Sequence, residues 1–182
     1  MKTDEELMLD HQGGQSAALA ELYSRYRDAL FGFFRRRLES RARAEELTQE
    51  CFVALIRNVR RYEPRASFRS YLYGIAMNLV MAERRKGGRE SAAGGKDWNG
   101  EGGGPPVEGN SETTVWVREA LGALESDDRE ILMLREYEEL SYQEIAGLLR
   151  VPVNTVRSRL FRARTAMREK LAPARDRIEG MR

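Results

Sequence analysis

Residues 140–164 read LSYQEIAGLLRVPVNTVRSRLFRAR, and this stretch decides how the C-terminal part of the chain folds. Ser141 and Glu144 have the spacing of a capping box, in which the cap hydroxyl and the carboxylate three residues later satisfy backbone donors at a helix start. Pro152 ends that helix, because the residue before a proline avoids the helical conformation. A second helix is predicted to begin around Asn154. Two short helices joined so closely predict a helix-turn-helix.

The second helix of this pair has one apolar face and one basic, polar face when it is drawn at about 100° per residue. The apolar stripe, expected to be buried, consists of Val156, Leu160, Ala163 and Met167. The opposite face carries Arg157, Ser158, Phe161, Arg162, Thr165 and Arg168, with Arg159 and Arg164 on its flanks. Arginine and serine bond base edges or phosphates, and an outward phenylalanine suits a thymine methyl or a sugar. We therefore predict that this face lies against duplex DNA. The alternatives are a solvated charged face and, for Phe161, packing on a neighbouring helix.

The segment that precedes the helix pair differs from it in charge. The formal net charge is −6 over residues 114–149 and +7 over residues 150–182, in a chain whose total is only +2. Such a sign change within one small domain suggests one face for DNA and another for something else. Within the acidic segment, Asp127 and Glu130 also have capping-box spacing and predict a helix that begins near Asp128.

The N-terminal half contains three predicted amphipathic helices, because apolar residues recur there every three or four positions. They are Leu19, Leu22, Tyr23, Tyr26, Leu30 and Phe33 in the first helix, Ala44, Leu47, Cys51, Leu55 and Val59 in the second, and Phe68, Leu72, Ile75 and Leu79 in the third. Pro64 separates the second helix from the third, and Ser67 is the expected N-cap of the third. No alternating strand pattern competes. The predicted fold class is all-α.

A glycine-rich segment divides the chain. Residues 87–113 hold most of the glycines and two adjacent prolines, with almost no apolar periodicity. Such a segment cannot bury enough surface to order itself, so a flexible linker is predicted. The expected organisation is a three- to four-helix bundle over residues 1–86, the linker, and a helix-turn-helix domain over residues 114–182.

Composition argues against several classes of function. With one histidine and one cysteine, the chain cannot form a disulfide framework and has too few ligands for a Cys/His zinc site. It offers no nucleophile motif or phosphate loop, so we expect neither an enzyme nor a cofactor. The longest nearly apolar run, residues 71–82, is too short to span a bilayer, and the acidic start lacks a signal core. A cytoplasmic protein without membrane insertion is expected.

Both halves resemble one known family. LSYQEIAGLLRVPVNTVRSRLFRARTAMREKL (140–171) resembles region 4, the DNA-binding region of sigma factors of the extracytoplasmic-function (ECF) type. AEELTQECFVAL (44–55) and FRSYLYGIAMNLVMAERRK (68–86) resemble their region 2. The resemblance implies a sigma-70 family initiation factor that binds core RNA polymerase, directs it to promoters and opens the duplex. It also implies an anti-sigma protein as a partner.

The resemblance assigns roles to residues in both halves. The duplex −35 element would be read by Arg157, Ser158, Phe161 and Arg162, with phosphates held by Thr155, Arg159 and Arg164. Core polymerase would bind at Glu46, Gln49, Glu50 and the neighbouring Val53. The single-stranded −10 element would meet Asn78, which accepts a flipped base, together with Phe68, Arg69, Arg84 and Arg85. The residues alone leave other interpretations open, since the residues around Glu46 fit a solvated helix face and Phe68 fits core packing.

The chain also departs from the family pattern. Tyr71 stands where the family usually has Trp, residues 125–126 lack its usual proline, and Arg150 replaces the glycine of the helix-turn-helix turn. A left-handed conformation costs a non-glycine residue about 1 kcal/mol or more, so we expect a rebuilt or strained turn at Arg150. The alternative function is a stand-alone helix-turn-helix repressor or activator, which usually binds two half-sites as a dimer.

Overall fold

The computed structural model describes the backbone of residues 1–90 and 112–179 and the side chains of residues 1–86 and 113–172. Every regular element within these ranges is helical, which confirms the predicted all-α class. The chain forms two compact units, residues 1–97 and 98–182. Most of the predicted linker lies outside the described residues. None of the helices in the described ranges has the length and apolar character needed to cross a membrane.

Within residues 1–90, the N-terminal unit contains four α-helices and a 3-10 turn. Their bounds are α1 Asp4–Gln12, α2 Ser16–Arg35, α3 Arg41–Arg57, the turn Val59–Arg61, and α4 Phe68–Glu90. Helices α2, α3 and α4 are the three predicted from periodicity. Helix α1 was not predicted individually, because its few buried apolar residues, such as Leu7 and Met8, make no repeating stripe.

Helix α4 corrects the predicted start of the linker. The linker was expected from residue 87, but α4 continues through two glycines to Glu90. Glycine disfavours a helix by only about 1 kcal/mol relative to alanine, and a long preceding helix can propagate past it. At its other end, α4 is capped as predicted, since the Ser67 hydroxyl accepts a hydrogen bond from the Ser70 backbone N–H at 3.2 Å.

The core of this unit is built from the predicted stripes. Leu22, Leu30, Leu55 and Leu72 are fully buried between α2, α3 and α4. Burying each such side chain contributes about 1.5 to 3 kcal/mol. Cys51 is a buried free thiol, and burial raises its pKa to about 12. Its place is that of a small apolar core residue, as its position on the α3 stripe suggested.

Four helices lie in the described part of the C-terminal unit, residues 112–179. They are α5 Glu112–Gly122, α6 Ser126–Glu136, α7 Tyr142–Leu149 and α8 Val153–Glu179, and the other three all pack against α8. The predicted capping box at Asp127 is wrong. Helix α6 begins at Ser126, and its N-cap, Glu125, makes no side-chain capping bond. Asp127 therefore lies inside the first turn, where the helix dipole favours a carboxylate and the side chain is free to bond α8 instead.

The helix-turn-helix formed by α7 and α8 begins with the predicted capping box and contains a left-handed residue in its turn. Ser141 Oγ accepts from the Glu144 N–H at 3.2 Å, and Glu144 Oε2 accepts from the Ser141 N–H at 2.8 Å, which completes the capping box. Arg150 has φ 55° and ψ 45°, so it occupies the left-handed conformation usually given to glycine. The turn is therefore not rebuilt around arginine. It retains the strained geometry.

Candidate functional site

Helix α8 presents the face that its sequence predicted. Val156, Leu160 and Ala163 are buried, while Met167, at the end of the stripe, is half-buried. The exposed side chains are Arg157, Ser158, Phe161, Arg162 and Arg164, and the half-buried ones are Thr155 and Arg159. Phe161 is 74% exposed, so it does not pack on a neighbouring helix among the described residues of its unit. A phenylalanine held in water on a basic face suits an apolar contact with a nucleic acid.

Acidic side chains of α6 lie beside this basic face. The contacts are Arg159 Nη1 to Asp127 Oδ2 at 2.7 Å, Arg162 Nη2 to Asp128 Oδ1 at 2.8 Å, and Arg164 Nη2 to Glu136 Oε1 at 2.7 Å. The hydrogen bond to Asp128 raises the pKa of Arg162, and that to Glu136 raises the pKa of Arg164. The charge pattern predicted one face for DNA and another for something else, and this stays a prediction. Three carboxylates of the acidic segment pair with arginines of the basic helix.

The start of α8 is ordered by short-range contacts. Arg157 Nη1 donates to Asn154 Oδ1 at 3.3 Å, and the Ser158 hydroxyl donates to the Thr155 carbonyl at 3.0 Å. Each contact links residues three positions apart, so both side chains lean along the helix. They remain exposed and can exchange these contacts for partners on a duplex.

A groove on the N-terminal unit gathers the four residues assigned to core binding. Glu46, Gln49, Glu50 and Val53 are exposed on α3 and line one depression of about 660 Å³. The remaining lining residues are Ala54, Arg57, Asn58 and Leu79. Leu79 comes from α4, so the groove runs between the two helices. Carboxylates beside apolar side chains give it the mixed chemistry of a protein-binding surface.

Arg43 organises the edge of this groove and was not singled out by sequence reasoning. Its guanidinium donates to Glu83 on α4 through Nε and Nη2, both at 2.9 Å. Its Nη1 donates to Glu46 at 2.7 Å and to Glu50 at 3.0 Å. The hydrogen bond from Arg43 lowers the pKa of Glu83. The helical spacing of Arg43, Glu46 and Glu50 could have indicated part of this cluster, but sequence spacing did not connect Arg43 with Glu83, which lies 40 positions away.

The residues assigned to the −10 element divide into two groups. Asn78, Arg84 and Arg85 are exposed on α4, and Arg69 is half-buried. Phe68 is fully buried, with its ring 5.4 Å from that of Tyr26 in an edge-to-face arrangement. Its assignment to DNA is therefore corrected: it is a core residue, because the first turn of α4 points into the bundle. Asn78 directly precedes Leu79 of the groove.

Comparison with protein families gives two matches on this chain. Residues 22–90 match the family described as Sigma-70 region 2, and residues 114–167 match Sigma-70, region 4. The first range contains the groove and Asn78. The second contains the helix-turn-helix and the exposed face of α8.

Full-length relatives and solved structures agree with these matches. The chain is 31% identical to the RNA polymerase sigma-H factor of Pseudomonas aeruginosa, over 93% of this chain and 94% of that protein. It is 32% identical to the ECF RNA polymerase sigma-E factor of Haemophilus influenzae, over 94% of this chain and 96% of that protein. In fold it is similar to CnrH, solved with the cytosolic domain of CnrY, with TM-score 0.70, 22% identity, and 94% of this chain and 99% of that one covered. It is also similar to RpoE of Bartonella quintana, solved with the anti-sigma factor NepR, with TM-score 0.69, 23% identity, and coverage of 84% and 96%. The chain therefore belongs to the sigma-70 family of RNA polymerase sigma factors, in its extracytoplasmic-function type.

Proposed function

We propose that this sigma factor binds core RNA polymerase through the α3–α4 groove and grips a promoter at two places, one with each unit. Residues 1–90 act as region 2, residues 114–182 act as region 4, and the residues between them link the two. The observation that carries the proposal is that each unit presents its own exposed candidate surface. Two separate surfaces suit a factor that recognises two separated promoter elements.

In the C-terminal unit, the outward face of α8 reads the −35 duplex. Arg157, Ser158, Phe161 and Arg162 reach base edges in the major groove, where guanidinium groups bond guanine and a phenyl ring contacts a thymine methyl. Thr155, Arg159 and Arg164 lie at the margins of this face and hold phosphates. The exposure of Phe161 supports this role, because removal of an apolar ring from water on binding is favourable.

In the N-terminal unit, Asn78 receives a base from the opened −10 strand. An amide carries both a donor and an acceptor, so it can bond the edge of an extruded base and offset part of the unstacking cost of a few kcal/mol. Arg69, Arg84 and Arg85 of the same helix hold the strand backbone electrostatically. The proximity of Asn78 to Leu79 would couple strand capture to the polymerase bound in the groove.

Core polymerase docks on Glu46, Gln49, Glu50 and Val53. Their common groove and exposure support a partner surface with basic groups for the carboxylates and an apolar group for Val53. An anti-sigma protein is proposed as a second partner, since CnrH and RpoE were each solved in complex with another protein, for RpoE an anti-sigma factor. The factor acts by binding and strand opening, without catalysing a reaction, inside the cytoplasm where the polymerase works.

A binding experiment separates this proposal from a stand-alone repressor. Fluorescently labelled full-length protein is titrated with core polymerase, and DNA binding is measured with and without core. We expect core binding that is weakened by Glu50→Lys and unchanged by Glu45→Lys, because Glu45 lies on the same helix but does not line the groove. Tight binding to a palindromic duplex without core, combined with no binding to core, would support the repressor instead.

A further inference from the structure

The Asp128–Arg162 pair differs from the other ion pairs between α6 and α8. The Asp128 side chain is only 10% exposed, whereas that of Arg162 is 61% exposed. A carboxylate held out of water is unfavourable unless it is paired, so Asp128 holds its partner firmly. One end of this pair is therefore fixed in the domain, and the other projects toward solvent on the DNA-facing side of α8.

The geometry leaves Arg162 able to bind something else at the same time. A guanidinium has five N–H donors in a rigid planar fork, and the contact with Asp128 goes through Nη2. The other N–H donors of Arg162 therefore belong to a guanidinium whose position the contact with Asp128 already constrains. A long side chain that is constrained before binding loses less rotamer freedom when it meets its target.

We propose that Asp128 is a positioning residue for Arg162. It holds the guanidinium in the orientation that bonds a base edge, and in this way it sharpens the preference of the protein for one base pair of the −35 element. The inference rests on the proposed function, in which Arg162 reads DNA. Asp128 itself does not touch DNA.

The neighbouring pairs provide a contrast within the same two helices. Asp127, the partner of Arg159, is 65% exposed, and Glu136, the partner of Arg164, is 51% exposed. Exposed ion pairs are weak and screened by salt, so these carboxylates can leave their arginines freely. They do not fix a side-chain direction. Asp127 is therefore the matched control for Asp128, since it is the adjacent residue with the same chemistry and a solvated carboxylate.

The test measures sequence preference with the holoenzyme. Core polymerase carrying the full-length protein selects from a duplex library randomised across the −35 element, and bound and unbound DNA are sequenced. The variants are Asp128→Asn, Asp128→Glu, Asp127→Asn, Arg162→Ala and the double variant Asp128→Asn/Arg162→Ala. Preferences are ratios within one sample, so a misfolded fraction that does not bind cancels out of the result.

We expect Arg162→Ala to flatten the preference at one base pair by roughly 5- to 150-fold, as for the loss of a bidentate base contact. Asp128→Asn should flatten the same position by about 3- to 10-fold and add nothing in the Arg162→Ala background, which is the signature of two residues acting as one. Asp128→Glu should restore part of the preference, and Asp127→Asn should leave it intact.

Provided that Arg162→Ala flattens the preference at one position, three results for Asp128→Asn would overturn the role of Asp128 and leave the role of Arg162 standing. Asp128→Asn could leave all preferences unchanged, could change binding equally for every sequence, or could retain its effect without Arg162. A uniform increase in binding would show that Asp128 competes with DNA for Arg162. If Arg162→Ala itself changes no preference, the proposed role of Arg162 is wrong, and the inference fails with it.

Discussion

Arg43 on α3 and Glu83 on α4 form a two-point ion pair, with Nε donating to Oε1 and Nη2 to Oε2 at 2.9 Å each. The third nitrogen of the same guanidinium bonds Glu46 and Glu50. One arginine thus connects carboxylates of the proposed polymerase-binding groove to the helix that carries Asn78. Arg43 therefore links the two proposed sites of the N-terminal unit, the polymerase-binding groove and the helix that captures the opened strand.

Glu83→Gln should lower the free energy of unfolding at pH 7 by about 1 to 2 kcal/mol, because a charge-assisted contact to a half-buried arginine is replaced by a neutral one. Arg43 lowers the pKa of Glu83 below its ordinary value near 4.5. The stabilisation is therefore fully present above about pH 4.5 and is lost as the pH falls through the lowered pKa. Chemical denaturation of both proteins at several pH values measures this difference.

The control is Glu45→Gln, since Glu45 pairs with Arg41 on the exposed side of α3. That change should alter stability by less than about 0.5 kcal/mol. Equal stability of Glu83→Gln and the parent protein at pH 7, or a difference that grows in acid, would contradict the role given to the Arg43–Glu83 pair.

Asn78→Ala should impair strand opening while leaving both folding and core affinity unchanged, because Asn78 is exposed and does not line the groove. Permanganate reactivity of unpaired thymines in the holoenzyme–promoter complex measures the opening directly. Normal opening by Asn78→Ala with unaltered −10 preference would remove this residue from the site. A fall in core affinity would place Asn78 in the docking surface instead.

The two phenylalanines assigned to DNA from the sequence should now behave in opposite ways. Phe68→Ala empties a fully buried position and should destabilise the protein by about 3 to 5 kcal/mol. Phe161→Ala removes a ring that is already in water, so stability should change by less than about 0.5 kcal/mol while −35 binding weakens. Thermal unfolding and holoenzyme binding to promoter DNA, measured on both variants, distinguish these outcomes. The reverse pattern would contradict the assignment.

Arg150→Gly should raise the free energy of unfolding by about 1 kcal/mol, because glycine adopts the left-handed conformation of the α7–α8 turn without strain. The matched control is Arg168→Gly, on an exposed position inside α8. There the same replacement should lower stability by about 1 kcal/mol. Denaturant titration of both variants tests the prediction. Destabilisation by Arg150→Gly would mean that the arginine side chain compensates for its backbone strain.

Much of this fold was predictable because local rules act strongly on it. Apolar periodicity located α2, α3, α4 and α8, and the Ser141–Glu144 capping box placed the start of α7 correctly. The outward face of α8 followed from helical geometry alone. These features depend on residues within a turn or two of each other, and no distant contact overrides them.

The errors have a different origin. Asp127 looked like a helix cap because its sequence spacing was right, but its carboxylate pairs with Arg159, 32 positions away. Pairing between the acidic and basic segments could not be foreseen from charge sums, which carry no information about which side chains face each other. Phe68 fitted both the apolar stripe of α4 and a contact with DNA, and its full burial shows that the stripe was the better guide.

Transcription in vitro tests the central claim most directly. Purified core polymerase and the full-length protein are incubated with a promoter library randomised at two elements, and the transcripts are sequenced. We predict transcription only when both proteins are present, from templates that share two short elements at a constant spacing. If the protein neither binds core nor stimulates transcription, and instead binds a palindromic duplex tightly by itself, the account of this chain as a promoter-opening initiation factor is wrong.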